Sequence, residues 1–421
     1  MKIDFPRSAE DKVVSSPNQK FRLTIIFGFF LLVGLNSGGF GVILPAFSLT
    51  YGLTKGDSGW LFAAITIGYL SASLTGSWVS ARFGLRNFLI SGLLLFGAGS
   101  LALWLLPPLG VALLARLVLG LAGAALETGG NFYVAYLPNN TAILNYLHAL
   151  FGAGALIGPL VASWILDNKW GWQNLFLVWL VATLVLAIGF RLAFGSLSID
   201  VLSSTPAEDK LLQTEEQIAA TRNPMRQALK HPTIWLATIF LLVYVGGETV
   251  VGSWTYTFLT EGPRYSTTLS GWLVSTYWIG LTLGRVVLGW LIARPFFVER
   301  NRLVFISCIL ISIIGAGQIW LASEQPLIVG MGLFLIGFGY GPIYPTTLAI
   351  LSRIVDPHLI SSAISLIIGL SILGVTIFPW IAGSLLESGG LATLFPYIMV
   401  LGVIMVGVVL LFLRPAAKSK I

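Results

Sequence analysis

Charge is scarce in this chain. Of its 421 residues only 10% are Asp, Glu, Lys or Arg, against about 25% in ordinary soluble domains, and so few charges cannot cover a water-facing surface. Histidine and cysteine are nearly absent: three of the former and one of the latter, Cys308. One thiol excludes a disulfide framework. Scattered imidazoles give no clustered ligand set, so no metal and no resident cofactor is expected. His-Glu-x-x-His, Gly-x-Ser-x-Gly, a paired intramembrane Asp and a glycine-rich phosphate loop are all missing, which argues against a membrane-embedded enzyme. The net charge of +7 does not point to nucleic acid, because the basic residues follow the loops and form no patch. No small-residue cleavage site follows the first apolar segment, which therefore reads as a retained span and not as a signal peptide.

Apolar sequence is abundant: 56% of residues are hydrophobic, 12% aromatic, and 47 are glycine. A bilayer-crossing helix needs about 20 largely apolar residues. Runs of that kind lie at 23–50, 60–80, 88–106, 111–137, 142–166 and 175–194, then at 233–260, 269–292, 303–321, 328–351, 360–386 and 392–413. The expected organisation is an all-α polytopic membrane protein of twelve transmembrane helices: a tail (1–22), a six-helix bundle (23–194), a polar linker (195–231), a second six-helix bundle (232–414) and a short tail (415–421). Most Lys and Arg collect in the termini, the linker and the loops on the same side, including Arg82, Arg86, Arg294, Arg300 and Arg353. The opposite side carries only Lys55, Lys169 and Arg264. The positive-inside rule then places both termini in the cytoplasm. The halves echo each other: Gly154-x4-Pro159-x7-Asp167 in the fifth run matches Gly374-x4-Pro379-x7-Glu387 in the eleventh, as expected of two parallel six-helix repeats.

Of the 17 acids, only Glu127 and Glu248 fall well inside spans. A mid-bilayer acid costs about 2.5–3.5 kcal/mol or more unless it has a cavity, a partner or a proton. Arg116, Gly120, Gly123, Glu127 and Asn131 step by three or four along the fourth run and share one helix face, a pattern that suits a helix lining a watery path. Arg116 and Glu127 stand about 16 Å apart along that helix, too far to pair. Asn145 and His148 share a face of the fifth run. A lone helical His is as readily a structural donor as a proton relay. In the seventh run Tyr244 and Glu248 are four apart, and Gly246-Gly247 is expected to loosen the helix there. Trp254 near the outer end suits either an interfacial belt or stacking on a sugar. "GFGYGPIYPTTLAI" in the tenth run, with Pro345, predicts a broken helix beside a cavity.

"SARFGLR" between the second and third runs, together with Arg116-x3-Gly120, resembles the major facilitator superfamily. "LETGGNFYVAYL", "LNYLHALFGAGALIGP", "YVGGETVVGSWTY" and "GFGYGPIYPTTLAI" are similar to the fourth, fifth, seventh and tenth helices of its fucose–galactose–glucose symporter family, nearer to the sodium-dependent glucose-transporter-like branch. The loop motif usually carries an acid where Ala81 stands here. The Asp that the fucose symporters hold four residues before the proline in their first helix is replaced by Gly41, before Pro45.

The resemblance implies ion-coupled alternating access by a monomer in a bacterial inner membrane, moving a small polar solute, a monosaccharide above all. Glu127 and Asn131 would face the solute, with Asn145, His148, Tyr244, Glu248 and Trp254 completing the site. Arg82, Arg86, Arg116, Arg285, Pro45, Pro159, Pro345 and Pro379 would serve structure and gating. Proton and sodium both stay open as the coupling ion. Proton-coupled export of a drug-like or other organic solute is the alternative, and a non-transporting sensor a further one.

Overall fold

The structure is a computed structural model that describes residues 17–135, 137, 140–195, 224–292, 294 and 300–413. The N-terminal tail to residue 16, the end of the chain from 414 and the greater part of the expected linker (196–223) lie outside the described residues. Among those described, every element is helical.

Eleven helices are long and apolar enough to cross a membrane: Gln19–Tyr51, Gly59–Phe83, Leu85–Trp104, Leu109–Ala135, Ile143–Asp167, Asn174–Phe194, Pro232–Glu261, Asn301–Leu321, Pro326–Leu351, Ser362–Gly389 and Leu391–Phe412. Thr267–Ile292, of 26 residues, stands after the seventh of these and completes twelve. They are spans one to twelve below, in chain order. Helices are the form such sequence must take, because hydrocarbon offers no partner to a free backbone N–H or C=O. The burial pattern is that of a protein solvated by lipid: Val181, Leu184, Val185, Ile188 and Leu192 form an exposed apolar stripe at helical spacing on span six, while Trp179 and Phe190 of the same helix are buried.

Helix pairing repeats between the halves. Span one packs on five and six, two on four, and three on four and six; seven packs on eleven and twelve, eight on ten, and nine on ten and twelve. Adding six to each number of the first set gives the second. The junction between halves obeys the same rule: span one meets seven, and the pairs two–eleven and five–eight exchange under that shift. The repeat heard faintly in Gly154-x4-Pro159 and Gly374-x4-Pro379 is thus a property of the whole packing diagram.

Two short segments explain how the chain turns and closes. Gly84, in the "RFGLR" stretch between spans two and three, has φ +82°, a backbone that side-chain-bearing residues rarely adopt. Gly41 of span one lies against the Gly252 carbonyl of span seven so closely that an added Cβ would collide with backbone.

Span ten breaks as its sequence suggests. Pro326–Tyr340 ends, Gly341 and Pro342 intervene, and Ile343–Ile354 resumes; Pro342 has no N–H to continue the ladder. Span eleven also breaks, between Ile360–Ser371 and Gly374–Gly389, which its sequence does not announce. Span seven corrects an expectation. It runs unbroken through Gly246-Gly247, and these glycines make room for Phe378 and the Tyr340 hydroxyl. Their smallness serves packing between helices, not a loosened backbone.

The halves are pinned together at the face that bears Lys55. Lys55 Nζ pairs with Glu261 Oε2 at 2.8 Å. The Gly56 N–H donates to Glu387 Oε2 at 2.9 Å. Thr376 Oγ1 donates to the Phe62 carbonyl at 3.1 Å, and the Trp60 and Trp380 rings lie 5.4 Å apart. Ser275 of span eight donates to the Leu156 carbonyl of span five at 2.9 Å, nearer the middle. Toward the opposite face, Asn145, His148 and Pro345 are exposed.

Candidate functional site

Glu127 is half-buried on span four, and the Tyr69 hydroxyl of span two donates to its Oε2 at 2.8 Å. Among the described residues it forms no ion pair. The carboxylate therefore keeps one oxygen committed and one available. Asn131, one turn along, is also half-buried, and its Oδ1 has no partner. These two residues give the first bundle a surface that accepts hydrogen bonds.

The facing surface comes from spans seven, eight and ten. Tyr244 is fully buried, its ring 5.5 Å from Tyr340 and 6.4 Å from Tyr344. The Tyr277 hydroxyl donates to the Glu248 carbonyl at 3.4 Å. Arg285 Nε donates to the Gly341 carbonyl at 3.3 Å, so the broken turn of span ten gives up one of its stranded carbonyls to a guanidinium from span eight. Tyr344, two residues past that break, lies within electrostatic reach of Glu127, Glu248 and Arg285. On span five the His148 ring stands edge-on to Phe30 at 5.7 Å and within electrostatic reach of Arg285.

Of the residues expected from sequence, Glu127, His148, Tyr244 and Glu248 are brought toward one central region, with Asn131 beside them. Asn145 sits one turn nearer the termini, exposed at the start of span five. Trp254 stands apart. It is 1% exposed, its indole N–H donates to the Pro379 carbonyl at 3.0 Å, and its ring lies 6.5 Å from Phe62. In this conformation it belongs to the closed barrier and not to an interfacial belt. Pro45 lines a separate cavity of about 400 Å³ outside that barrier, with Lys55, Glu261 and Glu387.

The stripe on span four is only partly a watery path. Gly120 packs against the Ile65 carbonyl of span two. Arg116 is 2% exposed, with its guanidinium carbon 3.5 Å above the Phe40 ring. Small residues there admit neighbouring backbones, and the cation rests on an aromatic face that recovers part of its lost hydration. Of the remaining structural residues, Arg82 is exposed near the Phe83 ring and Arg86 keeps a buried, unpartnered Nε. Pro159 lies where span five meets Gly271 of span eight.

Sequence reasoning passed over Tyr69, Tyr277, Tyr340 and Tyr344. A signal existed, since a phenol deep within an apolar run needs a partner for its hydroxyl. Which partner it finds depends on neighbouring spans that share no local pattern with it. No group of three His, Cys, Asp or Glu side chains suited to a metal ion occurs among the described residues.

A polar centre between two equivalent six-helix bundles, sealed on one face, defines a multi-pass membrane protein. The chain matches the Major Facilitator Superfamily over residues 26–371 and again over 259–421. It belongs to that superfamily, and so is a membrane transporter and not an enzyme. It is 23% identical over 405 residues to the glucose/mannose transporter GlcP of Bacillus subtilis, covering 95% of this chain and 97% of the other. It is 24% identical over 422 residues to a gallate transporter of Pseudomonas putida, covering 93% and 92%. Among solved structures, a D-xylose–proton symporter superposes with TM-score 0.74 at 14% identity, covering 96% of this chain and 99% of that one.

Proposed function

We propose that this chain is a secondary active transporter of a small hydroxylated solute of the monosaccharide class, driven by an ion gradient through Glu127. The observation that carries the reading is the Tyr69–Glu127 bond at the centre of the junction. It presents a carboxylate with a free oxygen, at a depth where an uncompensated charge is costly, so the group is suited to trade a coupling proton for solute hydroxyls. Extensive likeness to GlcP supports a sugar, and so does the earlier resemblance to the fucose–galactose–glucose symporters. The loop charges support cytoplasmic termini in a bacterial inner membrane. In that orientation the Lys55 face is outermost and the conformation is inward-facing.

The test is uptake of glucose and galactose into proteoliposomes under an imposed proton gradient, then a sodium gradient, for wild type and Glu127→Gln. Proton-driven accumulation that the variant loses supports the reading. Sodium-driven accumulation keeps the sugar and recasts Glu127 as a solute or ion ligand. No uptake of a hexose or a hexuronate under either gradient sinks it. The rings of Tyr340 and Tyr344 around Tyr244 and the likeness to the gallate transporter favour a second reading, a hydroxylated aromatic solute. Export of such a solute would appear as efflux driven by the reversed proton gradient.

A further inference from the structure

Span eight carries buried hydrogen-bond donors without a partner on the face that it turns to span five. Trp278, Thr282 and Arg285 fall at intervals of four and three on span eight, one helix face. That face meets span five: Gly271 stands against Ser163, Ser275 donates to the Leu156 carbonyl, and Thr282 stands against Gly152. Antiparallel continuation of this register sets Arg285 opposite His148, where the contact ends and His148 is exposed.

On this face the Trp278 indole nitrogen and the Thr282 hydroxyl are buried with no partner. Arg285 spends its Nε on Gly341, and the Tyr244 hydroxyl and the Glu248 carboxylate lie within its electrostatic reach, though it forms no ion pair among the described residues. An indole N–H and a guanidinium only donate, and each hydroxyl can turn to donate. A buried donor left unmade costs about 1–3 kcal/mol, so such a cluster fits an acceptor-rich visitor. The first bundle has the opposite character, with the Glu127 carboxylate and the Asn131 carbonyl awaiting donors.

We propose, resting on the function above, that the solute is a hydroxylated monocarboxylate. Its carboxylate is held by Arg285 of span eight with His148 of span five, and its hydroxyls are directed at Glu127 and Asn131. A planar fork of N–H groups suits bidentate carboxylate recognition. An anion between Arg285 and His148 touches both bundles at the level where their contact stops, so binding draws the open side together.

Uptake into proteoliposomes of D-glucuronate, its uncharged methyl ester, D-glucose and 4-hydroxybenzoate tests this. The ester keeps the ring and hydroxyls and removes only the charge. The expected result is that one of the two acids is taken up at least tenfold more efficiently, as kcat/KM, than the uncharged sugars. In Arg285→Gln that preference falls to near unity, and Arg285→Lys restores part of it.

Preference for glucuronate supports a sugar acid. Preference for 4-hydroxybenzoate supports the carboxylate site and overturns the monosaccharide class. Glucose or the ester moving as well as both acids overturns the carboxylate site and leaves the sugar reading standing. Transport of none of the four overturns both. If Arg285→Gln does not fold, the wild-type comparison of glucuronate with its ester decides alone.

Discussion

The phenol of Tyr69 holds one oxygen of Glu127, and a hydrogen bond to a charged group is worth about 1.5–3 kcal/mol. Tyr69→Phe keeps the ring and its packing but frees that oxygen and lets the carboxylate swing. The expected outcome is an apparent solute affinity weakened about tenfold, since each 1.4 kcal/mol is tenfold, with the melting temperature in detergent little changed. Uptake KM and a thermal melt on the same preparation check it. Arg116 presents a different case. Its charge is buried against Phe40 with two nitrogens unpartnered. The aromatic face is worth about 2 kcal/mol when desolvated, so Phe40→Leu is expected to lower stability by that order, read as an earlier thermal transition. Arg116→Leu removes the stranded charge together with its cost, and is expected to leave stability within about 1 kcal/mol of wild type.

The elements most legible in sequence are those governed by length and apolarity. All twelve spans follow from runs of about 20 residues, and the break in span ten follows from Gly341-Pro342. The break between Ser371 and Gly374 in span eleven has no proline, and one serine and one glycine in an apolar run do not announce it. Gly246-Gly247 is the converse: a local sign of weakness that tertiary contact with Phe378 and Tyr340 overrides. The site divides in the same way. Glu127 and Glu248 stand out because charge in an apolar run is costly. Tyr69 and Tyr344 do not, because a tyrosine in a span has many innocent places to be, and its role appears only when a second helix arrives. The closest approach of spans one and seven gives a test of its own. A side chain at Gly41 meets the Gly252 backbone, which cannot yield as a flexible side chain would. Gly41→Val is expected to fold but to abolish closure at the Lys55 face, reducing uptake to background. A cysteine introduced at Thr257 then labels freely in that variant and poorly in its Gly41 parent, with little background because Cys308 is buried.

For the whole molecule, the two bundles behave as bodies whose contact is concentrated at one face. The polar fastening there is light: one ion pair with its partners 30% and 40% exposed, one backbone N–H on Glu387 and the Thr376 hydroxyl on the Phe62 carbonyl. An exposed pair is worth about 0.2–1 kcal/mol, so Lys55→Ala combined with Glu387→Ala is expected to shift the balance of conformations about three- to tenfold toward opening at that face without unfolding either bundle. Distance measurements between spin labels on the loop following span one and the outer end of span eleven report the shift. A latch this weak suits a carrier that must release it on every cycle.

The Lys55–Glu261 pair has one more property, set by the water in front of it and not by the protein behind it. Counter-ions in brine crowd such charges and shorten their reach from about 8 Å at 0.15 M to about 3 Å at 1 M. The residence time of the sealed form therefore depends on the salinity of the compartment that Lys55 faces. A change in the salinity of that compartment would alter the resting posture of this transporter before any solute had bound.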